Sequence, residues 1–451
     1  MKNEYFLRID SRIRLPDRKP DSTLYAELID RECFVFDNGT PYIRCDGYYQ
    51  ILTRDDAVCL ITEYIDESDR GKISASLPKL TLEKLIRDSR LQLDIKEAFW
   101  ENQYLINVRN GVYDIKKRQL IDVRDKKPIF DYVLDFCYRP NCRMEMAPTY
   151  TSFLETSLGE EFHDVLMRVT AYCLSSLTKG RKAFEFLGPG QRGKSVWLDL
   201  MSSVVPEEHR SNISFSDLGK REYLVQLRDK RINICSDNDP APMKNESLFK
   251  RIVSCEKVMA RALYQSAVSF APTAKLIFAS NHDLEFAHPD DELLDRLLVI
   301  PFSKEIPDDR RDLDLVSKLI SEKDIIMSMA VDTLKDLVEK NYDFNEPESC
   351  KEYMRWKRFE LSPDIGFLST QVEIDPYGKI SSKKLWEEFN SWCCENALKP
   401  QGQKTFLNKV LAYDSRINKC MIGPAGRRIN GFKGLRYKSA NDFEDEDKGG
   451  E

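Results

Sequence analysis

Apolar positions along this chain recur at two periods, and the switches between them mark out its elements. In the first hundred residues, short apolar-rich runs at 32–36, 41–44 and 47–52 are strand-like and are separated by Asp37-Asn38-Gly39 and Cys45-Asp46-Gly47, both good turn sequences. Residues 81–91 place Leu82, Leu85 and Ile86 at helical spacing. Extended pieces return at 104–114 around Asn110-Gly111. Residues 150–178 carry a stripe of Val165, Leu166, Val169, Tyr172, Cys173 and Leu177, the pattern of a helix with one buried face. This helical layer reads equally as a packing module and as an assembly collar. No chemistry is assigned to the first hundred residues. The Asp55-Asp56 pair falls at a turn or helix start, where capping is the expected role.

The centre of the chain follows one order: a short apolar strand at 183–187, then Gly188-Pro189-Gly190-Gln191-Arg192-Gly193-Lys194-Ser195, then an apolar-faced helix over 196–205. The eight-residue stretch fits the Walker A pattern of a phosphate-binding loop. Glycines let backbone N–H groups turn inward toward a phosphate, and a helix starting near Lys194 adds its N-terminal partial positive charge. Lys194 is expected to reach the β- and γ-phosphates of ATP and Ser195 to hold Mg2+.

A loop of this kind needs an acid at the end of a neighbouring strand. Residues 230–239 supply one, with Asp237 the first choice and Asp239 the second. A further strand, 274–280, ends in Asn281, whose amide suits either a γ-phosphate or water contact or an ordinary strand-end turn. Arg296 lies within an apolar run at 293–302, placed to pair with an acid or to project into a neighbouring subunit's site as a finger on the γ-phosphate. Between them, residues 257–270 read as two extended pieces around Tyr264, Gln265 and Ser266. Lys257, Arg261 and Tyr264 could there touch a nucleic-acid strand by charge and stacking, although Tyr264 equally suits packing.

Beyond this, 308–341 reads as a helical lid, followed by a linker through Pro347 and Pro363. Ser381 caps a helix bearing Leu385, Phe389 and Trp392; a second helix near 404–412 carries Phe406, Leu407 and Val410; residues 420–432 read strand, turn, strand. Two helices and a basic hairpin make a winged helix, with Lys404 and Lys409 meeting phosphates from the recognition helix and Arg427 and Arg428 at the wing. The bland alternative is a solvated basic face on a packing module.

Composition sharpens this picture. At 451 residues, about three domains are expected. The net charge of -6 argues against nucleic acid only as an average, because residues 379–438 carry thirteen Lys/Arg against four acids. The last thirteen residues are acidic and nearly without apolar groups, the composition of a disordered tail. No apolar run approaches a bilayer span and the charged start does not suit a signal peptide, so a cytoplasmic location, with no membrane partner, is expected. The twelve cysteines are irregularly spaced, as in a chain of reduced thiols, and Cys137 and Cys142 lack a second ligand pair, so no metal beyond Mg2+ is expected.

In order and spacing, NVRNGVYDIKKRQL, GPGQRGKS, CSDND, FKRIVSCEKVMARALYQSAVSFAPTAKLIFASN, LLDRLLVIPF and KKLWEEFNSWCCEN resemble superfamily 3 helicases, the helicase half of the poxvirus-type and phage/plasmid-type primase-helicases, over residues 100–438. The resemblance implies an AAA+-like α/β P-loop ATPase core, a ring usually of six subunits, ATP sites at subunit junctions and translocation on DNA, typically 3′ to 5′. It matches Lys194 and Ser195 to Walker A, Asp237 to the Walker B acid, Asn281 to the sensor, Arg296 to the arginine finger and the stretch from Arg261 to Gln265 to the DNA-contacting hairpin. It departs from the family in having Asp237 where Glu is frequent and Gln265 where a lysine is expected at the hairpin tip. The first hundred residues lack room for a polymerase-type primase domain, so priming is not expected of this chain, and a separate primase or other replication protein is left open as a partner.

The expected organisation is an N-terminal α/β module (1–105), a helical collar-like region (106–180), the ATPase with its lid (181–345), a linker (346–378), the winged helix (379–438) and the tail (439–451). The expected function is an ATP- and Mg2+-dependent DNA helicase for replication of a phage, plasmid or mobile element. An initiator that binds DNA and uses ATP as an assembly switch is the alternative; a P-loop enzyme acting on a small molecule fits the basic C-terminal module less well.

Overall fold

Turn chemistry and capping set the N-terminal elements. A computed structural model describes residues 12–45, 47–121, 129–236, 238, 241–261, 267–287, 290–307, 311–424 and 427–438. Strands β1 (Phe34–Asp37), β2 (Thr40–Arg44) and β3 (Tyr49–Ile51) form an antiparallel sheet in that order. Asn38 and Gly39 both have positive φ (50° and 78°), as a two-residue hairpin turn requires. Helix Arg54–Tyr64 opens with a capping box: the Thr53 hydroxyl accepts from the Asp56 N–H at 3.1 Å, and the Asp56 carboxylate accepts from the Thr53 N–H. Helix Leu77–Ile86 starts before the expected residue 81, with Pro78 in its first turn, and gives way to a 3-10 turn at Ser89–Leu91. Leu24, Phe34, Phe36, Ile61 and Leu85 meet in the core of this region.

The stretch expected as a helical collar opens instead with a sheet. β4 (Leu105–Val108), β5 (Gly111–Asp114) and β6 (Gln119–Ile121) pair antiparallel in sequence order. The expected helix over 150–178 is two helices, Pro148–Ser157 and His163–Leu174. Gly159, at φ 130°, turns the chain between them.

The central sheet is parallel along its β7–β12–β9–β8 ladder, and its strands read as apolar runs. β7 (Ala183–Leu187), β8 (Arg210–Ser211), β9 (Ile232–Cys235), β12 (Lys275–Ser280) and β13 (Leu297–Pro301) lie in the order β13-β7-β12-β9-β8, while β10 (Val258–Ala260) and β11 (Val268–Phe270) form a separate antiparallel hairpin. All six residues of β12 are buried, as expected of a strand covered on both faces. Its register, Ser280 beside Leu187 and Phe278 beside Cys235, aligns the carboxyl ends of β7, β12 and β9 at one edge. Helices Leu315–Ser321, Lys323–Asp332 and Leu334–Glu339 follow within the expected lid span. Tyr113 and Tyr138 both donate to Asp332, at 2.7 and 3.0 Å, tying β5 to this helical layer.

The chain divides into two compact units, 1–287 with 300–346 and 288–299 with 347–451. The expected linker at 346–378 is a correction: it holds helices Glu348–Leu361 and Pro363–Gln371 and the start of β14 (Val372–Ser381). Pro363 begins a helix here, occupying the first turn, where the missing N–H costs nothing. Helices Ser382–Glu395 and Gln403–Tyr413 follow, then β15 (Asn418–Ile422) and β16 (Ile429–Tyr437), in an antiparallel sheet of order β14-β16-β15. The Ser381 hydroxyl accepts from the Lys384 N–H at 3.2 Å. Phe389 and Phe406 stack at 4.1 Å, and Phe367, Leu368 and Val372 share their core, so the small module begins near residue 363. The tail 439–451 lies outside the described residues. Among the described residues, no helix is long and apolar enough to cross a membrane.

Candidate nucleotide site and basic surfaces

The glycine-rich loop joins the carboxyl end of β7 to helix Lys194–Val204, and its glycines have different reasons to be there. Gly188 (φ 152°) packs so closely on the Phe302 carbonyl that a side chain has no room. At Gly193 (φ 95°), a Cβ would lie 2.7 Å from Ser157 Oγ and 2.9 Å from the Phe153 ring. Around Gly190 nothing lies within 4 Å, so the middle of the loop is open to solvent. The following helix is pinned from below: Trp197 is buried, stacks on Phe153 at 5.7 Å and donates Nε1–H to Thr170 Oγ1 at 3.2 Å. Gln191 holds a left-handed conformation (φ 62°) and is exposed, as is Ser195 one residue into the helix.

Lys194 and Asn281 come together. The Lys194 ammonium donates to the Gly188 carbonyl, to the Pro189 carbonyl at 2.7 Å and to Asn281 Oδ1 at 3.1 Å, with the residue only 7% exposed. Burial, reinforced by the neighbouring Arg192 guanidinium, pushes its pKa below the usual lysine value. Arg192 Nε is itself buried with no hydrogen-bond partner. Two cations share one loop, one destabilised in its charged form and the other incompletely bonded. A polyphosphate would relieve both, and the donor set is all N–H, so these residues fit such an anion.

Two positioning residues escaped the sequence reading. Asn238 donates from Nδ2 to the Cys235 carbonyl at 3.2 Å and the Ala279 carbonyl at 3.0 Å, and accepts from the Phe215 N–H at 2.9 Å, bridging the ends of β9 and β12. Glu185, fully buried in β7, accepts from Ser280 Oγ at 2.9 Å and the Leu284 N–H at 3.0 Å, holding the turn that carries Asn281. A polar residue inside an apolar strand was the available signal for Glu185. Asp237 and Asp239 flank Asn238 but lie outside the described residues. Arg296 follows helix Asp291–Leu294, in the other compact unit, and pairs with Glu292 at 2.7 Å, the acid-pairing role.

Lys257 and Arg261 border strand β10, both exposed, whereas Tyr264 and Gln265 lie outside the described residues. In the C-terminal unit a groove of about 940 Å3 runs between the starts of helices Ser382–Glu395 and Gln403–Tyr413 and the β15–β16 hairpin, its charged lining being Lys383, Lys384, Lys404 and Lys419 with one acid, Glu387, 3.8 Å from Lys383. Lys404 is therefore placed on a basic surface, joined by three lysines not singled out from the sequence. Lys409 differs from Lys404 in having a structural partner: its ammonium is 2.9 Å from Asp364, which is 1% exposed and also accepts from Gln401 Nε2 at 2.7 Å. About one helical turn and a half from Lys404, the half-exposed Lys409 side chain reaches this buried carboxylate from the module's surface. Arg427 and Arg428 are exposed just before β16.

Parts of the chain are similar to known proteins. Residues 33–159 match the D5 N terminal like family, and residues 186–296 match DUF5906, a family of unknown function. The chain is 25% identical over 197 residues to the putative primase C962R of African swine fever virus (isolate Tick/Malawi/Lil 20-1/1983), covering 40% of this chain and 20% of that protein. It is 24% identical over 278 residues to the putative helicase L207/L206 of Acanthamoeba polyphaga mimivirus, covering 57% and 26%. The chain thus spans about a fifth to a quarter of the length of these viral relatives. The apo structure of the NrS-1 C terminal region superimposes with a TM-score of 0.51 at 12% identity, over 91% of this chain and 98% of that one, a likeness of fold.

Proposed function

We propose that this chain is an ATP-hydrolysing DNA helicase of the superfamily 3 kind, acting as a ring in the replication of a virus, phage, plasmid or other mobile element. The observation that carries the reading is the meeting of Lys194 with Asn281 at the carboxyl edge of a parallel sheet, where ligands of open α/β sheets bind. Lys194 would leave its loop carbonyls for the phosphates, Arg192 would add a second cation, and Asn281 would orient water or the γ-phosphate. Ser195, with Asp237 or Asp239, would hold Mg2+, which neutralises phosphate charge. The strand order, with the Asn281 strand between the loop strand and the strand leading to the acids, supports an AAA+-like core.

Likeness to viral proteins named as a primase and a helicase supports a replication role. The C-terminal succession of helix, strand, two helices and hairpin supports a winged helix that grips duplex DNA through Lys383, Lys384, Lys404 and Lys419, with Arg427 and Arg428 at the wing. Arg296, released from Glu292, would serve a neighbouring subunit, in a ring for which six copies is the family expectation. That same groove favours the second reading, an initiator that binds DNA and assembles on ATP with little unwinding. Measuring ATP hydrolysis and fork unwinding in the wild type and in Lys194→Ala tests the proposal: hydrolysis surviving in the variant contradicts the site, and hydrolysis without unwinding favours the initiator.

A further inference from the structure

The β10–β11 hairpin has a root as well as a tip, and the root encloses a cavity. Strand alternation buries Val258 and Ala260, 1% and 0% exposed, so Lys257, Met259 and Arg261 share the opposite face at a repeat of about 6.6–6.8 Å. Met259 pairs with Ser269 across the hairpin, bringing that hydroxyl to the same face. Against it lie Asn245 and Ser247, at the start of helix Glu246–Val253, and Arg251 on its last turn. Arg221 arrives on a loop whose carbonyl accepts from the Arg261 N–H at 3.4 Å. Together these residues enclose about 380 Å3. Arg251 also donates to the Lys257 carbonyl, which fixes the guanidinium at the cavity wall. Among the described residues no carboxylate lines the cavity; Glu256 lies 3.9 Å from Arg251 Nε, beyond the lining.

We propose that this root pocket binds the phosphodiester backbone of a single-stranded nucleic acid, with Arg221, Arg251 and Lys257 as its cations. The inference rests on the reading of the hairpin as the strand-contacting element and moves the grip from tip to root. Three like charges around one small cavity repel one another, with Glu256 at 3.9 Å offsetting only Arg251, and an anion seated among them relieves that repulsion. Phosphate oxygens are acceptors only, and the cations and the Ser269 hydroxyl offer them donors, the Ser247 hydroxyl being given to Asn245 Oδ1 at 3.1 Å. A single strand fits better than an acidic protein surface because Met259, 56% exposed between Lys257 and Arg261, places a polarizable apolar group where an unpaired base or sugar would lie. Charge interleaved with apolar contact is the pattern of sequence-tolerant strand binding.

The test uses the full chain as Arg221→Ala/Arg251→Gln and, separately, as Lys257→Gln, which leaves the backbone anchor of Arg251 in place. Affinity for a fluorescein-labelled oligothymidylate is measured over a salt series, with duplex binding and assembly mass alongside. The double variant is expected to bind the oligonucleotide at least about tenfold more weakly and to lose about 0.7 of log–log salt slope for each phosphate contact removed, with duplex binding unchanged. Wild-type affinity and slope in both variants would overturn the pocket while leaving the helicase reading intact. Loss of assembly with strand affinity retained would also overturn it, assigning the pocket to an acidic surface of a second copy. Failure of the wild-type chain to bind oligothymidylate would overturn the strand-tracking reading itself, and this inference with it.

Discussion

Lys194 carries the clearest expectation at the residue scale. Its ammonium is held by three oxygens of the site, so Lys194→Ala should lower ATP turnover at least about 10²-fold, the order seen when one preorganised charge is removed from a reacting group. An unchanged far-ultraviolet dichroism spectrum would show that the fold is retained. Gly188→Ala is a different experiment, since it places a side chain at φ 152° against the Phe302 carbonyl; a cost of at least about 1–3 kcal/mol and a lower melting temperature are expected. Asp332 offers a pH test. Burial raises its pKa above the unfolded value despite the two tyrosine hydroxyls that donate to it. Between the unfolded and folded pKa the native state binds more protons, so stability should fall as pH rises through that window. Asp332→Asn keeps an acceptor for both hydroxyls and should flatten this part of the stability–pH curve, as read by thermal melts at a series of pH values.

At the scale of single elements, helix Gln403–Tyr413 separates two lysines that look alike in the sequence. Lys409→Ala leaves the buried Asp364 with Gln401 alone, and should destabilise the C-terminal unit by about 1.5–3 kcal/mol, the range for a hydrogen bond to a charged group. Lys404→Ala should leave the melt unchanged and weaken duplex binding, with a log–log salt slope less steep by about 0.9 if one phosphate contact is lost. Equal effects of the two changes on DNA binding would contradict the division of roles. Charge patterning marked both residues as basic. Helical phase alone could not say which faced a buried carboxylate, because Asp364 arrives from a helix that Pro363 had made look like linker.

For the whole molecule, the central proposal is a site completed between copies. Arg296→Ala and Lys194→Ala chains, each inactive alone, should recover part of the ATPase rate when mixed, because some junctions then contain an intact loop and an intact arginine. Absence of recovery at every mixing ratio would leave the finger role of Arg296 unsupported. Mass measurement with nucleotide and DNA present reports the assembly directly.

Local chemistry was legible in the residues themselves. Asn38-Gly39 favours a tight turn, the Asp55-Asp56 pair marks a helix start that Asp56 helps to cap, and the strand, glycine loop and helix at 183–204 lie where their periodicity puts them, because each depends on neighbours a few positions away. Long-range pairing decided the rest. Asn281 reaches Lys194 across eighty-seven positions, Asn238 staples β9 to β12, and Asp364 claims Lys409 across forty-five. A hydrogen bond is a condition on space, and the chain's order specifies space only after its strands and helices have packed.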